Sequence, residues 1–274
     1  MYKKINKIKI IENYTNKKNL TIVTGYFDMP SKHSSNNYKT WMKSLLSYNG
    51  PMIIFTDKEN YQIIKKNRQH PHTHIIIQKI EDFSTYIYKD KQNTNLGFYY
   101  EEGRSKNMNI DIYNILQLEK INFLKQAIEL NKFNTRYYAW YDIGYLRNNQ
   151  ILPHNWPNQN KLKILHNKVV FMSIFGKDCE YDNDINEIYT YDNPPHNLLL
   201  TGGFVGLDKN KINQLYNLYI KTIDEMIKEG QWPQDQFVFT KMYCKKYNFI
   251  QKLKSREHPF VKNNGWFYMI PYFF

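Results

Sequence analysis

The stretch RYYAWYDIGYLR, residues 136–147, places a single acid, Asp142, at the end of an aromatic run. Such a run is typical of a β-strand, so Trp140 and Asp142 should project to one side and Tyr141 to the other. A carboxylate at the carboxyl end of a strand can hold Mg²⁺ or Mn²⁺ that bridges to a diphosphate, because these cations prefer oxygen ligands. Alternatively, Asp142 opens an Asx-turn through Gly144 and needs no ligand.

Two glycine-containing stretches could let a ligand approach the backbone. TGYFD puts Thr24, Gly25 and Tyr26 at the end of a predicted strand, where a nucleotide base could stack on the tyrosine ring. A tight turn from strand to loop would explain these residues equally well. TGGFVG puts Gly202 and Gly203 inside a predicted strand, which favours a bulge or a closely approaching ligand.

Three further residues could contribute polar side chains to a site. WPQDQFVF places Asp235 and Gln236 at the predicted start of a helix. Asp235 is either an N-cap or a general base that deprotonates an acceptor hydroxyl, and the sequence leaves both roles open. His258, in REHPF, is a candidate metal or phosphate ligand, although a lone histidine before proline is more often a loop residue.

Alternating strands and helices must position these residues. We predict strands at 19–27, 51–57, 72–80, 135–144, 167–175, 197–208 and 248–253, and helices at 38–46, 58–67, 111–130, 209–230 and 234–247. This alternation predicts an α/β fold with a mainly parallel sheet covered by helices on both faces. In such sheets ligands bind at the carboxyl ends of the strands, which is where Asp142 is expected.

The composition limits the classes of function. The formal charge of +13 suggests an anionic partner, although an AT-rich genome would also enrich lysine beside Asn, Ile and Tyr. GxGxxG and GxxxxGK[ST] loops are absent from the sequence, which argues against Rossmann dehydrogenases and P-loop enzymes. No Ser/His/Asp or Cys/His nucleophile pattern is evident.

The sequence also predicts organisation and compartment. We expect one domain over 1–274, with a basic N-terminal segment at 1–18 and an aromatic tail at 259–274 that packs on the body. Cys179 and Cys244 lie in no metal-binding spacing and are predicted to be reduced thiols. No segment approaches the ~20 apolar residues of a membrane span. These features predict a soluble cytoplasmic protein, in the host cytoplasm if the source is viral.

Several motifs occur together in an order that resembles a known family. These are LTIVTGYFD, YKTWMKSLLSYNGPMIIFTD, KINFLKQAI before YYAWYDIGYLR, LLLTGGFVG and DQFVF, from Leu20 to His258. They resemble the HtrL/YibB-like family, which is similar to nucleotide-sugar glycosyltransferases of the GT-A fold. The resemblance implies a single Rossmann-like domain that transfers a sugar from a nucleotide-diphosphate sugar, commonly a UDP-sugar, to a glycan or protein hydroxyl.

The resemblance also implies roles for the residues above. The TGYFD end would hold the nucleoside, the GGF and DQ motifs would line the donor-sugar and acceptor side, and Asp142 would bind a divalent metal, Mn²⁺ or Mg²⁺. On this basis we hypothesise that Asp235 activates or orients the acceptor hydroxyl. Asp142 falls where GT-A enzymes carry an Asp-x-Asp metal motif, but the residues two away are Trp140 and Gly144. Basic residues could compensate for the missing acid by neutralising the leaving diphosphate; the candidates are Arg104, Lys106, Lys120 and Arg147.

Three other readings of the sequence remain open. Nucleotidyl transfer uses a similar sheet, but would be expected to have a glycine-rich loop where this chain has DMPSKHSSNN. A basic protein that binds RNA or single strands would use aromatic rings and lysines, but the 24 tyrosines and 16 phenylalanines are spread throughout the chain. We therefore expect no nucleic-acid partner. The missing second acid also permits an inactive fold of the GT-A type.

Overall fold

The computed structural model describes residues 18–31, 33–91, 110–147, 150–174 and 200–274. Arg104, Lys106 and Cys179 lie outside these ranges, so their predicted roles remain predictions. The described strands are β1 Leu20–Tyr26, β2 Met52–Thr56, β3 Thr73–Ile77, β4 Tyr137–Tyr141, β5 Val169–Ser173, β6 Phe204–Asp208 and β7 Ile250–Lys254. The described helices are α1 Ser35–Leu46, α2 Tyr61–Asn67, α3 Ile110–Leu118, α4 Lys120–Leu130, α5 Ile212–Lys228, α6 Asp235–Cys244 and α7 Met269–Tyr272.

The described strands form one seven-stranded sheet in the order β3-β2-β1-β4-β6-β5-β7. All neighbouring pairs are parallel except those that involve β6, which runs antiparallel to β4 and β5. From β1 the chain builds β2 and β3 outward on one side, and then returns to place β4 on the other side of β1. The carboxyl ends of β1 and β4 therefore meet at a topological switch point, where sheets of this class bind ligands.

Apolar side chains cover both faces of the sheet, because successive residues of each buried strand point to opposite faces. On β4, Tyr138 and Trp140 pack in the layer that includes α4, α5 and α6, whereas Ala139 and Tyr141 pack in the layer that includes α1 and α7. This confirms that Trp140 and Tyr141 face opposite sides. A mainly parallel sheet with helices on both faces also confirms the predicted α/β fold class.

A stack of aromatic rings anchors the start of α4 against the sheet. Phe123 stacks on Phe55 at 4.3 Å and on Trp140 at 5.8 Å between ring centroids. The three side chains are almost completely buried. This packing fixes the first turn of α4, and with it Lys120, relative to the end of β4.

Two predicted elements have different bounds from those expected. The helix predicted at 111–130 is interrupted at Glu119, whose buried carboxylate accepts hydrogen bonds from the amide and hydroxyl of Thr85 at 3.0 and 2.7 Å. The strand predicted at 197–208 begins only at Phe204, so Gly202 and Gly203 lie in a turn before β6. The prediction that these glycines interrupt a strand is therefore wrong.

The C-terminal region packs into the layer that contains α1. Met269, Ile270 and Phe273 are fully buried there. Cys244 at the end of α6 is disulfide-bonded, so the prediction of a reduced thiol at this position is wrong. No helix in the described ranges is both long and apolar enough to cross a membrane.

Candidate active site

A cleft with an empty volume of about 1170 Å³, part of it open to solvent, lies at the switch point. Its walls are residues 25–29 at the end of β1 and just beyond it, residues 142–145 after β4, and the glycine turn before β6. The start of α4 contributes Lys120, and the start of α6 contributes Gln236. The elements that meet here are those that the sheet topology brings to one edge.

Three charged side chains form what we call the floor of the cleft: Lys120, Asp142 and Asp235. The Lys120 ammonium donates to Asp235 Oδ2 at 2.7 Å and to the Gly202 carbonyl at 3.0 Å, and lies 3.0 Å from Asp142 Oδ1. The side chains of Lys120 and Asp235 are 2% and 1% exposed, whereas that of Asp142 is 41% exposed. Because an ammonium has three N–H groups, these three oxygens occupy all of them.

The two oxygens of Asp142 have different environments. Oδ1 accepts a hydrogen bond from Trp140 Nε1 at 2.8 Å, and it also faces Lys120. Oδ2 accepts no hydrogen bond from the residues that the structure describes, and the Asp142 side chain borders the cleft. The backbone is fixed as well, because Asp142 N donates to the Gly203 carbonyl at 3.1 Å and Tyr145 N donates to the Asp142 carbonyl at 2.8 Å.

Burial and charge act in opposite directions on the ionisation of the floor. Burial alone lowers the pKa of Lys120, but the charges of Asp142 and Asp235 outweigh it and leave this pKa raised, so Lys120 stays protonated at neutral pH. Burial raises the pKa of Asp235, and the Lys120 ammonium opposes that rise. With both carboxylates ionised, one cation and two anions leave the floor with a net charge of −1.

The glycine turn is required because side chains would collide with the floor. A Cβ built on Gly202 would lie 2.1 Å from Asp235 Oδ2, and one on Gly203 would lie 3.0 Å from the Tyr145 ring. The missing Cβ atoms therefore let the turn pass directly over Asp235 and beside Asp142. The sequence suggested that a ligand approaches the backbone closely at these glycines. In the structure, carboxylates of the floor make that approach.

The cleft brings together most of the residues predicted for the site. Gly25, Tyr26, Lys120, Asp142, Gly202, Gly203 and Gln236 all line it. Thr24 does not, because its side chain is completely buried within the sheet. Arg104 lies outside the described residues.

Two predicted residues occupy different settings from those expected. Asp235 does not line the cleft and is buried against Lys120, so its geometry does not favour the general-base role. It is the first residue of α6, and Gln234 is the N-cap. His258 also lies outside the cleft lining, where its Nδ1 accepts a hydrogen bond from Phe260 N at 3.2 Å and caps a short 3₁₀ turn. The structure therefore does not bring His258 together with Asp142 as a pair of metal ligands.

The donor atoms at the floor suit a divalent cation that is shared with a bound diphosphate. In the described residues no group of three or more His, Cys, Asp or Glu side chains could hold a metal on its own. Magnesium, however, is commonly bound through one or two carboxylates, with water and substrate phosphates as the other ligands. Asp142 Oδ2 and the net negative charge of the floor fit that arrangement.

A second group of side chains forms what we call the rim of the cleft: Trp41, Arg147, Trp266 and Phe267. The Arg147 guanidinium lies between two aromatic rings, 4.5 Å from the Trp41 centroid and 5.1 Å from the Phe267 centroid. Trp266 is 41% exposed and lines the cleft. The C-terminal rim residues were missed as site residues, because an aromatic tail carries no signal that distinguishes a cleft wall from core.

Asp28 is another cleft residue that the sequence reading left unassigned. It follows β1 and lines the same wall as Tyr26, and its Oδ2 accepts a hydrogen bond from Ser35 Oγ at 2.7 Å. Its position in TGYFD, at the carboxyl end of a predicted strand, could have identified Asp28 as a site residue.

Comparison with known proteins identifies a family. The model of HtrL_YibB, described as a bacterial protein of unknown function, matches residues 18–261. The chain belongs to the HtrL_YibB family. This confirms the resemblance seen in the motifs. Among curated proteins none matches this HtrL_YibB chain significantly.

Solved structures of the glycosyltransferase LgtC resemble this HtrL_YibB protein. One is an active-site mutant of LgtC, and another is the galactosyltransferase LgtC in complex with donor and acceptor sugar analogues. Each has 11% sequence identity and a TM-score of 0.45, and each match covers 86% of this chain and 73% of the LgtC chain.

Proposed function

We propose that this protein is a glycosyltransferase that moves a sugar from a nucleoside-diphosphate sugar, a UDP-sugar, to an acceptor hydroxyl in the switch-point cleft. The observation that carries the proposal is the asymmetry of Asp142. One of its oxygens is held by Trp140 and Lys120, and the other accepts no hydrogen bond from the described residues. A carboxylate fixed in this way at the end of a central strand is suited to a cation and the phosphates it bridges.

The chain's own residues would divide the work as follows. Residues 25–29, which include Tyr26, border the part of the cleft next to β1, where the nucleoside would lie. Asp142 would fix the diphosphate end through a shared divalent cation. Gln236 and the glycine turn would face the transferred sugar, because they border the cleft beside Asp142. Amide groups both donate and accept hydrogen bonds, which suits sugar hydroxyls.

Transfer breaks the bond between the anomeric carbon and a diphosphate oxygen and forms one to the acceptor oxygen, while the proton of the acceptor hydroxyl passes to the leaving diphosphate or to solvent. The main requirement is to stabilise negative charge on the leaving diphosphate. When bound, a divalent cation supplies that stabilisation as a Lewis acid.

Lys120 has a role that differs from direct neutralisation of the diphosphate. Its three N–H groups are occupied by protein oxygens, so it has no free donor for a phosphate. It instead orients Asp142 and is itself positioned by Asp235, which is buried behind it. Lys120 and Asp235 are therefore positioning residues in this proposal.

The proposal is tested by measuring the melting temperature with UDP and Mn²⁺, with UDP and a chelator, and with a nonspecific oligonucleotide at moderate salt. We expect UDP with Mn²⁺ to raise the melting temperature by roughly 5–10 °C at a hundredfold excess over Kd. A screen of nucleotide sugars for Mn²⁺-dependent hydrolysis would then identify the donor. Stabilisation by the oligonucleotide, with no response to any nucleoside diphosphate, would contradict the proposal and favour nucleic-acid binding.

A further inference from the structure

A second cavity lies beside the cleft and shares a wall with it. Its empty volume is about 500 Å³, and it is lined by Leu146, Arg147, Val261, Lys262, Asn264 and Phe267. Arg147 and Phe267 also line the main cleft, so the two spaces adjoin at the rim. None of the floor residues borders the second cavity. A ligand group here would be separated from the proposed diphosphate position by the Arg147 side chain.

The lining of this cavity is positively charged and contains no acid. Arg147 and Lys262 supply two cations, and neither makes an ion pair with another described residue. Elsewhere in the described residues the buried cation Lys120 is paired with carboxylates. Two cations that face a cavity without a counter-ion among the described residues favour a ligand that brings its own negative charge.

Arg147 is prepared to bind an anion in a fixed orientation. The rings of Trp41 and Phe267 both contact its guanidinium and restrict its movement. Its Nε donates to the Gly144 carbonyl at 3.3 Å, and its Nη1 lies 3.2 Å from His33 Nε2. These contacts use two of the five N–H groups of an arginine, and no other described residue accepts from the remaining three, which suit a carboxylate or phosphate.

Trp266 provides an apolar surface next to these cations. It is 41% exposed in the wall of the cleft, and it precedes Phe267, which borders both spaces. Its backbone amide donates to Asn264 Oδ1 at 3.0 Å, which fixes the start of this turn. A flat exposed ring beside hydrogen-bond donors is a surface on which the apolar face of a sugar ring can pack.

We propose that the acceptor is an anionic sugar, whose ring packs on Trp266 and whose carboxylate or phosphate binds between Arg147 and Lys262 in the second cavity. This inference rests on the proposed function, because it assigns the rim to the acceptor of that reaction. It gives Arg147 a different role from neutralising the leaving diphosphate.

Binding of two matched pairs of probes to the full chain tests this inference. p-Nitrophenyl β-glucuronide and p-nitrophenyl β-glucoside differ by a carboxylate, and glucose 6-phosphate and glucose differ by a phosphate. Titration calorimetry should show the anionic member of at least one pair binding on the order of tenfold more tightly, because charged hydrogen bonds are about twice as strong as neutral ones. Equal affinities within both pairs would overturn the proposal. Inorganic phosphate that binds as tightly as glucose 6-phosphate would overturn the role of the sugar ring.

Matched variants identify the residues responsible. Arg147→Met and Lys262→Met should each reduce the preference for the anionic probe several-fold, and Lys262 is exposed, so its variant is expected to fold. Lys132→Met is the control, because Lys132 is an exposed lysine on the amino-terminal side of β4, outside both cavities. An unchanged preference in both cavity variants would overturn the proposal.

The UDP response separates this inference from the proposed function. Arg147→Met should retain the melting shift that UDP and Mn²⁺ give the wild type. Loss of that shift, with the anionic preference kept, would assign Arg147 to the donor and overturn the acceptor assignment. If UDP and Mn²⁺ give the wild type no melting shift, but it binds the anionic probes more tightly than the neutral ones, the anionic-sugar site is supported and the donor assignment is removed.

Discussion

The floor and the rim of the cleft use charge in opposite ways. On the floor, Lys120 is buried and its donors are all occupied by protein oxygens. On the rim, Arg147 is exposed and retains donors that no described residue uses. The difference indicates that the floor cation Lys120 holds the site in shape, whereas the rim cation Arg147 is available to a ligand. Substitutions should therefore affect stability most at the floor and ligand choice most at the rim.

The largest effect is expected from Gly202→Ala. A Cβ at this position would lie 2.1 Å from Asp235 Oδ2, which is held at 2.7 Å from Lys120, so the carboxylate would have to move and break a buried ion pair. We expect a loss of more than about 3–5 kcal/mol in the free energy of unfolding. Urea unfolding measures this loss.

Gly203→Ala is the milder comparison, with an expected loss of about 1–3 kcal/mol, because its Cβ would be tight only against the Tyr145 ring at 3.0 Å and would lie 3.7 Å from Asp142 Oδ2. Equal losses in the two variants would contradict this account of the turn.

The next effect concerns the buried ion pair itself. Lys120→Met leaves Asp235 buried without its cation, which should destabilise the protein by roughly 3–5 kcal/mol. The double variant Lys120→Met/Asp235→Asn removes both charges and should recover a large part of that loss. Chemical unfolding of both proteins checks this. If the double variant is as unstable as the single one, the cost lies in packing and not in the unpaired charge.

A smaller effect is expected when only the orientation of Asp142 is disturbed. Trp140→Phe removes the Nε1 donor to Asp142 Oδ1 and keeps an aromatic ring against Phe123. The affinity for Mn²⁺ in the presence of UDP should fall about tenfold, as is common when a partner of a metal ligand is lost. Trp156→Phe is the control, because it removes a buried indole donor that binds the Ile270 carbonyl instead. A comparable loss of Mn²⁺ affinity in the control would argue against a specific role for Trp140.

The smallest effect on stability is expected at the rim. Trp266→Ala should change the free energy of unfolding by no more than about 0.5 kcal/mol, because the ring is exposed. The same variant should leave the UDP response intact and weaken binding of the anionic sugar, and Trp266→Phe should restore part of that binding. A large loss of stability would show that the ring supports the fold and is not reserved for a ligand.

The sequence predicted the sheet and the position of Asp142 because both follow from local patterns. Short runs of apolar and aromatic residues defined β1 and β4, and their order placed Asp142 and residues 25–29 at one edge. The partners of Lys120 could not be predicted, because Asp235 is 115 residues away and the two meet only through the packing of α4 and α6 on α5 and through the glycine turn. Asp235 was consequently assigned to chemistry when its burial fits a positioning role.

The glycine turn and the rim were hidden for a related reason. The sequence of a glycine pair is the same whether a ligand or a buried carboxylate packs against it. Only the structure distinguishes the two, because a Cβ on Gly202 would lie 2.1 Å from Asp235 Oδ2. The sequence identified Arg147 as a cation near Asp142. Its contacts with Trp41 and Phe267 could not be predicted, because these residues are far apart in the chain.

The most direct test of the central claim is Asp142→Asn. The amide retains an oxygen that can accept from Trp140 and Lys120, and the side chain is 41% exposed, so the fold should be preserved while the carboxylate charge is lost. The account predicts that the variant loses the melting shift given by UDP with Mn²⁺, and that hydrolysis of the donor sugar falls on the order of 100-fold or more. A folded variant that keeps the wild-type shift and the wild-type rate of hydrolysis would remove Asp142 from the site and contradict the account.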